Sequence, residues 1–351
     1  MKRLSWFNKV IWVVNVLCAI VTIVAYLLPF LAPKLFPILA VLTLFLPIIL
    51  IVNLLFFGYW SIQLKRQLLL SGFVLFIGFT FINKFYKFSS EKVVSDKALS
   101  IMSYNVRLFN KFGWSEKETV PQEISEFVKL QQPNILCIQE YTNGEKFDYS
   151  DYNFKYILKK GNKIKTSHAI FSKFEIVNTG EIIFPNSNNN AIFADLKIDN
   201  NLIRVYSIHL ESIKITPDVA DINHDLNVIN QTKSNKIFLM TSKAFGQQQL
   251  QSELVMKHKL ECKYPVIICG DMNNSAFSYV YRNIKGDLQD AFVVAGSGFG
   301  KTYDFKYYPA RIDYLFFDEQ FKINSFENHT DIKDSDHFPI ISHFEILKDS
   351  L

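Results

Sequence analysis

Two nearly unbroken apolar runs, Val10 to Phe30 and Leu35 to Phe57, constrain this chain more than any other feature. Neither contains a charged residue, so neither can present a polar face to water as a surface helix does. A bilayer-crossing helix needs about 20 apolar residues, with about 17 as the lower limit, and both runs meet it. A third run, Leu68 to Ile82, meets it only with Gln67 and Asn83 at the interfaces. A cleaved leader is disfavoured for the first run, which is long, lacks a small-residue cleavage pattern and precedes a second span. The expectation is an N-terminal bundle of two to three transmembrane helices, with spans at about 10–31, 35–57 and 67–83.

Orientation follows from the cations. Lys2, Arg3 and Lys9 precede the first run, Lys34 alone lies in the first connection, and Lys65 and Arg66 lie in the second. The positive-inside rule puts the N-terminus in the cytoplasm. Three spans then carry everything after Asn83 outside it, although Lys84, Lys87, Lys92 and Lys97 pull the other way. The expected localisation is a multi-pass membrane protein whose large domain lies outside the cytoplasm. Its expected partner is the lipid bilayer, and no protein partner is expected.

Of the 351 residues, 49% are hydrophobic, and the formal net charge is +5. That charge is unevenly placed. Residues 1–97 hold 10 basic and 2 acidic residues, leaving 28 basic and 31 acidic in the remainder. The large domain is therefore slightly acidic and has no basic excess of the kind a dedicated DNA binder carries. The four cysteines (Cys18, Cys137, Cys262 and Cys269) show no metal-type spacing, and a domain of this size needs no disulfide scaffold.

The expected organisation is a membrane region at 1–87, a polar linker at 88–97 and one domain at 98–351. From Ala98 onward short β-rich runs alternate with polar breaks. "LSIMSYNV", "ILCIQE", "HAIFSKF", "EIIF", "AIFADLKI", "LIRVYSIHL", "VIICGDMNN", "RIDYLFF" and "SDHFPIISHFEI" read as strands with their ends. "EISEFVKLQQPN" has helical spacing and stops at Pro133. Residues 212–260 read as largely helical, and "SAFSYVYRNI" as a helix start. Strands and helices in alternation over about 250 residues indicate one α/β domain.

Many of these strands end in residues that carry chemistry: Asn105, Glu140, His209, Asp271, Asn273, Asp313, Asp336 and His337. Taken singly each has a bland reading as a turn former, a helix cap or a satisfied core histidine. Jointly they suggest a site, because strand ends and their loops are where sheets present reactive groups.

The pieces "SYNVR" (Ser103–Arg107), "IQE" (Ile138–Glu140), "SIHL" (Ser207–Leu210), "GDMN" (Gly270–Asn273), "RIDY" (Arg311–Tyr314) and "SDHFP" (Ser335–Pro339) resemble, in order, the endonuclease/exonuclease/phosphatase superfamily. Met272 stands where the family often has Phe. The resemblance spans nearly all of the large domain and leaves out the membrane region. It implies a four-layered α/β sandwich, with two mixed β-sheets flanked by helices.

It also implies a hydrolase that cleaves phosphodiester or phosphomonoester bonds by activated-water attack. A hard divalent cation (Mg2+, with Mn2+ as the alternative, one ion or two) answers the charge on the phosphate and takes oxygen ligands. Asn105, Glu140 and Asp336 are the implied metal ligands. Asp271 would position or deprotonate the water, and Asn273 would hold it or a phosphate oxygen. His209 and His337 would donate to developing charge, or His337 would act as base, with Asp313 orienting it. Arg107, Tyr281, Arg282 and Arg311 are substrate-binding candidates, although a structural salt bridge is an equal reading of Arg107 and Arg311, and Ser278 is a candidate rim residue. The substrate is a nucleic acid or a phospholipid. A non-catalytic membrane scaffold on the same fold is the competing class.

Overall fold

The computed structural model describes residues 4–88, 95, 97–142, 147–160, 166–213, 231–306 and 308–347. Most of the expected linker at 88–97, and the first part of the expected helical stretch at 212–260, lie outside the described residues. Contacts divide the chain into two units: 1–85, 213–249 and 275–282 form one, and 86–212, 250–274 and 283–351 form the other.

The first unit is helical. Its longer helices before residue 86 are α1 (Trp6–Leu27), α2 (Leu46–Ile62) and α3 (Leu68–Ile82). Among the described residues, only Trp6–Phe30 is by itself long and apolar enough to cross a membrane. This corrects the expectation of two to three clear spans. The second run is broken: Pro37–Leu44 and Leu46–Ile62 meet at 64°, and form one span only if that bent pair crosses as a unit. Pro47 explains the break, and Pro37 sets where the first segment starts. Each starts a new helical segment and supplies no backbone N–H to the turn before it. The third helix has 15 residues.

A polar ladder binds these helices. Asn8, Asn15 and Thr22 recur every seventh residue along one face of α1. Asn8 donates to Gln63 (2.8 Å) and accepts from the Tyr59 hydroxyl (2.6 Å). Asn15 donates to Ser71 (2.8 Å) and accepts from the Trp60 indole (3.0 Å). Thr22 accepts from Asn53 (2.7 Å). These side chains of an apolar bundle thus find partners on neighbouring helices, although the Asn53 Oδ1 is buried without one. Ser275–Arg282 belongs to this unit too, with Phe277 packed in a cluster with Ala19, Tyr26, Leu46 and Val74.

The second unit contains two six-stranded mixed sheets. Its strands are β1 (Leu99–Asn105), β2 (Ile135–Tyr141), β3 (Phe154–Lys160), β4 (Thr166–Ser172), β5 (Glu175–Ile183), β6 (Asn190–Ile198), β7 (Asn201–His209), β8 (Val266–Asp271), β9 (Gln289–Asp290), β10 (Asp313–Phe317), β11 (Phe321–Asn328) and β12 (Ile340–Ile346). One sheet has the order β11-β12-β1-β2-β4-β3 and the other β9-β10-β8-β7-β6-β5. The parallel pairs are β1·β2 and β7·β8. Strands β3 and β11 are edges that the sequence pattern does not reveal; β3 carries three lysines and β11 one, and each leans on its neighbour.

A single apolar cluster lies between the sheets, taking Ile101, Cys137 and Ile170 from one and Val205, Ile267, Cys269 and Leu315 from the other. Helix α4 (Val120–Gln131) covers the outer face of the first sheet through Ile124, Phe127 and Val128. It starts with Pro121 in its first turn, and ends at Gln132 in the left-handed region, one residue before Pro133. The long helix α5 (Gln231–Leu260) contributes its last turns to this unit, where His258 meets the Tyr206 hydroxyl at 2.9 Å.

A candidate active site at the end of the inter-sheet core

Side chains on a strand alternate between faces, and that period locates the site. The inner face of β1 reads Ile101, Ser103, Asn105, and that of β7 reads Val205, Ser207, His209. The inner face of β8 ends Cys269, Asp271, while β10 begins at Asp313 before Leu315. The core turns from apolar to polar at one end of the sandwich. Asp271 and Asp313 are directly paired across β8 and β10, and His209 and Asp271 across β7 and β8.

The transition is held together by Gln139. Its amide nitrogen donates to Ser103 (3.2 Å) in its own sheet and to Ser207 (3.0 Å) in the other. Gln139 and Glu140 are consecutive, so regular alternation would send Glu140 outward. Instead the β2·β4 register shifts between Ile138 and Tyr141, and Glu140 takes φ 54°. This bulge turns the carboxylate toward His209, whose Nε2 lies 3.8 Å away. Gly270 answers a different need. It sits opposite Ile208 at φ 127°, and a Cβ there would fall on the Ile208 carbonyl. Only glycine lets β8 approach β7 closely enough to present Asp271.

Asp271 is the hub. Its carboxylate accepts from the Asn105 amide (3.0 Å), the Asn273 backbone N–H (2.8 Å) and the Asn273 amide (3.2 Å). The Nε2 atoms of His209 and His337 lie 3.6 and 3.7 Å from it. Asn273 (φ 49°) also donates to the Leu210 carbonyl at 3.0 Å. On its far side His337 meets Asp313 through Nδ1 at 3.0 Å. Ser335 fastens the "SDH" loop by donating to the Asn105 carbonyl (2.8 Å) and accepting from the His337 N–H (3.2 Å).

The electrostatics sort the acids from the bases. Burial raises the Asp271 carboxyl to about 6, with the His337 charge opposing. Burial disfavours the His337 imidazolium, but the carboxylates of Asp313 and Asp271 outweigh it and lift His337 to about 10. His209 moves the other way, lowered chiefly by burial. Glu140 is raised by burial and by the nearby charge of Asp336.

Of the substrate-binding candidates, Arg107 reaches the cluster. It is 3.4 Å from Asp336, lies over the Trp114 ring at 4.7 Å and begins a run of four left-handed residues ending at Asn110. Arg311 is engaged elsewhere, donating to Asp290 at 2.8 and 3.0 Å with both side chains buried. Tyr281 and Arg282 belong to the helical unit, where Arg282 lies over the Phe30 ring at 4.4 Å.

Three residues near the site are not among the candidates named from the sequence. Gln139, the middle residue of "IQE", is one. His168 on β4 is buried, with its ring 5.9 Å from that of His209. Tyr303 forms an isolated β-bridge with His337, their rings 5.0 Å apart. A buried polar residue at the head of the apolar run "HAIF" was the available hint for His168.

Residues 102–337 match the Endonuclease/Exonuclease/phosphatase family. The chain belongs to that family. As a member it is a hydrolase acting on phosphate-ester bonds, and its motif residues form the cluster described above. Residues 8–85 match a second family, described as a domain of unknown function (DUF8431). No curated protein matches the chain. Among solved structures, the family fold recurs in the endonuclease/exonuclease/phosphatase from Bacteroides vulgatus. That match has 16% identity and a TM-score of 0.53, covering 71% of this chain and 99% of that one. It recurs in the human Nocturnin catalytic domain with bound sulfate anion (17% identity, TM-score 0.52, covering 72% and 95%). A third is D. rerio TDP2 complexed with single strand DNA product (17%, 0.52, covering 71% and 100%). At these identities the likeness is one of fold.

Proposed function

We propose that the chain is a membrane-anchored, divalent-metal-dependent phosphodiesterase or phosphatase in which Asp271 activates the attacking water. The observation that carries this reading is the convergence of Asn105, Asn273, His209 and His337 within 3.7 Å of one buried carboxylate. A base near 6 is matched to proton abstraction at neutral pH. Asn273 acts as a positioning residue, since its backbone and amide N–H groups both donate to Asp271. His337, kept protonated between two carboxylates, donates to the phosphate oxygens rather than serving as base, and Asp313 orients it. His209, neutral, donates a second N–H. Arg107 is the candidate cation for a non-bridging phosphate oxygen.

The donor set fits a hard cation. The nearby charge of Asp336 disfavours ionisation of Glu140, a conflict that a bound divalent ion would relieve. Glu140, Asp336 and the Asn105 amide oxygen would hold Mg2+ (Mn2+ as the alternative, one ion or two), which when bound supplies positive charge to the phosphate. The buried Asp271–Asp313–His337 group is a second candidate set, at which a metal would take the place of the His337 proton.

The polar ladder of α1 supports an anchor that stays in place. A leader destined for removal needs no hydrogen-bonded partners on α2 and α3. With the N-terminus placed in the cytoplasm by the cation distribution, a single crossing by α1 would carry the enzyme outside it. A phosphate ester at the membrane surface is the first substrate reading, favoured by the acidic balance of the domain. Nucleic acid is the second, favoured by the DNA product in the TDP2 relative.

The test is product release from DNA, RNA, phospholipids and simple bis-esters, with Mg2+ and with chelator. Metal-dependent turnover of one class is expected. Glu140→Gln should reduce it about 100-fold or more without unfolding the protein. Undiminished rates in chelator would remove the metal from the mechanism, and full activity of Glu140→Gln would remove Glu140 from the site.

A further inference from the structure

The helical unit contains a groove of about 650 Å³ whose walls are almost entirely apolar. Leu50 and Leu54 of α2, Leu75, Phe79 and Ile82 of α3, and Phe277 line it. That volume lies within the range of small-molecule sites. Leu54 and Phe79 are also more than half exposed, so the groove opens onto a larger apolar surface.

Its length and its end select an occupant. The lining of α3 runs from Gly72 to Ile82, a rise of about 15 Å. This is half of a hydrocarbon core about 30 Å thick, the depth of one leaflet. At the Ile82 end the walls stop being purely apolar in their surroundings. Lys84 Nζ lies 5.2 Å from the centroid of Phe81, itself a wall residue, and 5.0 Å from that of Tyr281. Two aromatic rings thus hold a cation beside the groove. An apolar trough one leaflet deep with a fixed cation at one end is complementary to an amphiphile of opposite charge.

We propose that this groove seats one acyl chain of an anionic membrane lipid, with the lipid headgroup at Lys84. The proposal rests on the membrane placement above and assigns a ligand to the segment matched by the domain of unknown function. The lipid need not be the substrate. The stretch that supplies Asp271 and Asn273 nonetheless continues, four residues after Asn273, into the wall residue Phe277.

The test uses the full chain purified in detergent, with phosphatidylglycerol and phosphatidylcholine as probes, read by native mass spectrometry. One phosphatidylglycerol per chain is expected, preferred over phosphatidylcholine by about fivefold for the one cation. Leu75→Trp, which fills the trough, should abolish the adduct. Lys84→Gln should keep binding and lose the preference. Should Leu75→Trp fail to fold, the unaltered chain labelled with phosphatidylglycerol carrying a photoreactive acyl chain decides the matter. Labels concentrated on Leu50, Leu54, Leu75 and Phe79 support the groove. Labels spread evenly over exposed positions such as Leu17 and Ile20, or no lipid preference in the unaltered chain, overturn it. Extraction from membranes at alkaline pH tests the placement separately, so its failure is distinguishable from failure of the groove.

Discussion

At the scale of single residues, similar side chains have opposite fates. Asp271 and Asp290 are both buried aspartates, but Asp290 is neutralised by Arg311 and caps Phe292 and Val293 at 3.0 and 3.4 Å. Removing Arg311 strands that charge. Arg311→Met should therefore cost about 3–5 kcal/mol of stability, measured by denaturant titration, while turnover per folded molecule holds. A large loss of kcat at unchanged stability would return Arg311 to the substrate. Asp271 should behave in the reverse way. Asp271→Asn and His337→Ala are each expected to lower kcat about 100-fold or more. Because they act as one unit, the double variant should be little worse than the poorer single. Multiplicative losses would show that they do not share a phosphate.

At the scale of elements, the site depends on local breaks in regularity. The bulge at Glu140 and the glycine at Gly270 each re-aim or admit one carboxylate, and regular strands would present neither. The loop carrying Asp336 and His337 is also tied to the start of α4. Lys117 reaches both Glu123 (2.8 Å) and Asp334 (3.2 Å). Hydrogen bonds from Lys117 and then Thr119 hold the Glu123 carboxyl down to about 2 from its ordinary 4.5. A depressed carboxyl contributes stability above its unfolded value and loses it as pH falls through its folded value. The melting-temperature difference between the native chain and Glu123→Gln should be small, because the pair is exposed to solvent. It should be present above pH 4.5 and vanish as pH falls toward 2. A difference that instead grew in acid would deny the pair its role.

For the whole molecule, the two units pose different solvation problems. The second buries its apolar residues between its own sheets. The first leaves Val13, Leu17, Leu55, Phe73 and Phe79 exposed, a surface that water does not favour. The chain should stay in the membrane fraction after high-salt and alkaline washing. Recovery of the intact chain in the wash would refute the anchor.

The local pattern of the chain was enough for the strand ends, the stop of α4 at Pro133 and the order of the six motifs, because period and turn chemistry act over a few residues. Three kinds of fact required the tertiary structure. Partners distant in sequence are one: Ser103, Gln139 and Ser207 form the inter-sheet clamp, and Arg311 finds Asp290, through contacts that no local window contains. Departures from alternation are another, since a polar residue at Glu140 reads the same whether or not a bulge turns it inward. Edges and breaks are the third. β3 and β11 depend on neighbours for their pairing, and the second apolar run bends where Pro47 interrupts it, although its hydropathy alone is continuous. Hydropathy sums over residues, whereas a hydrogen-bond ladder fails at a single missing donor.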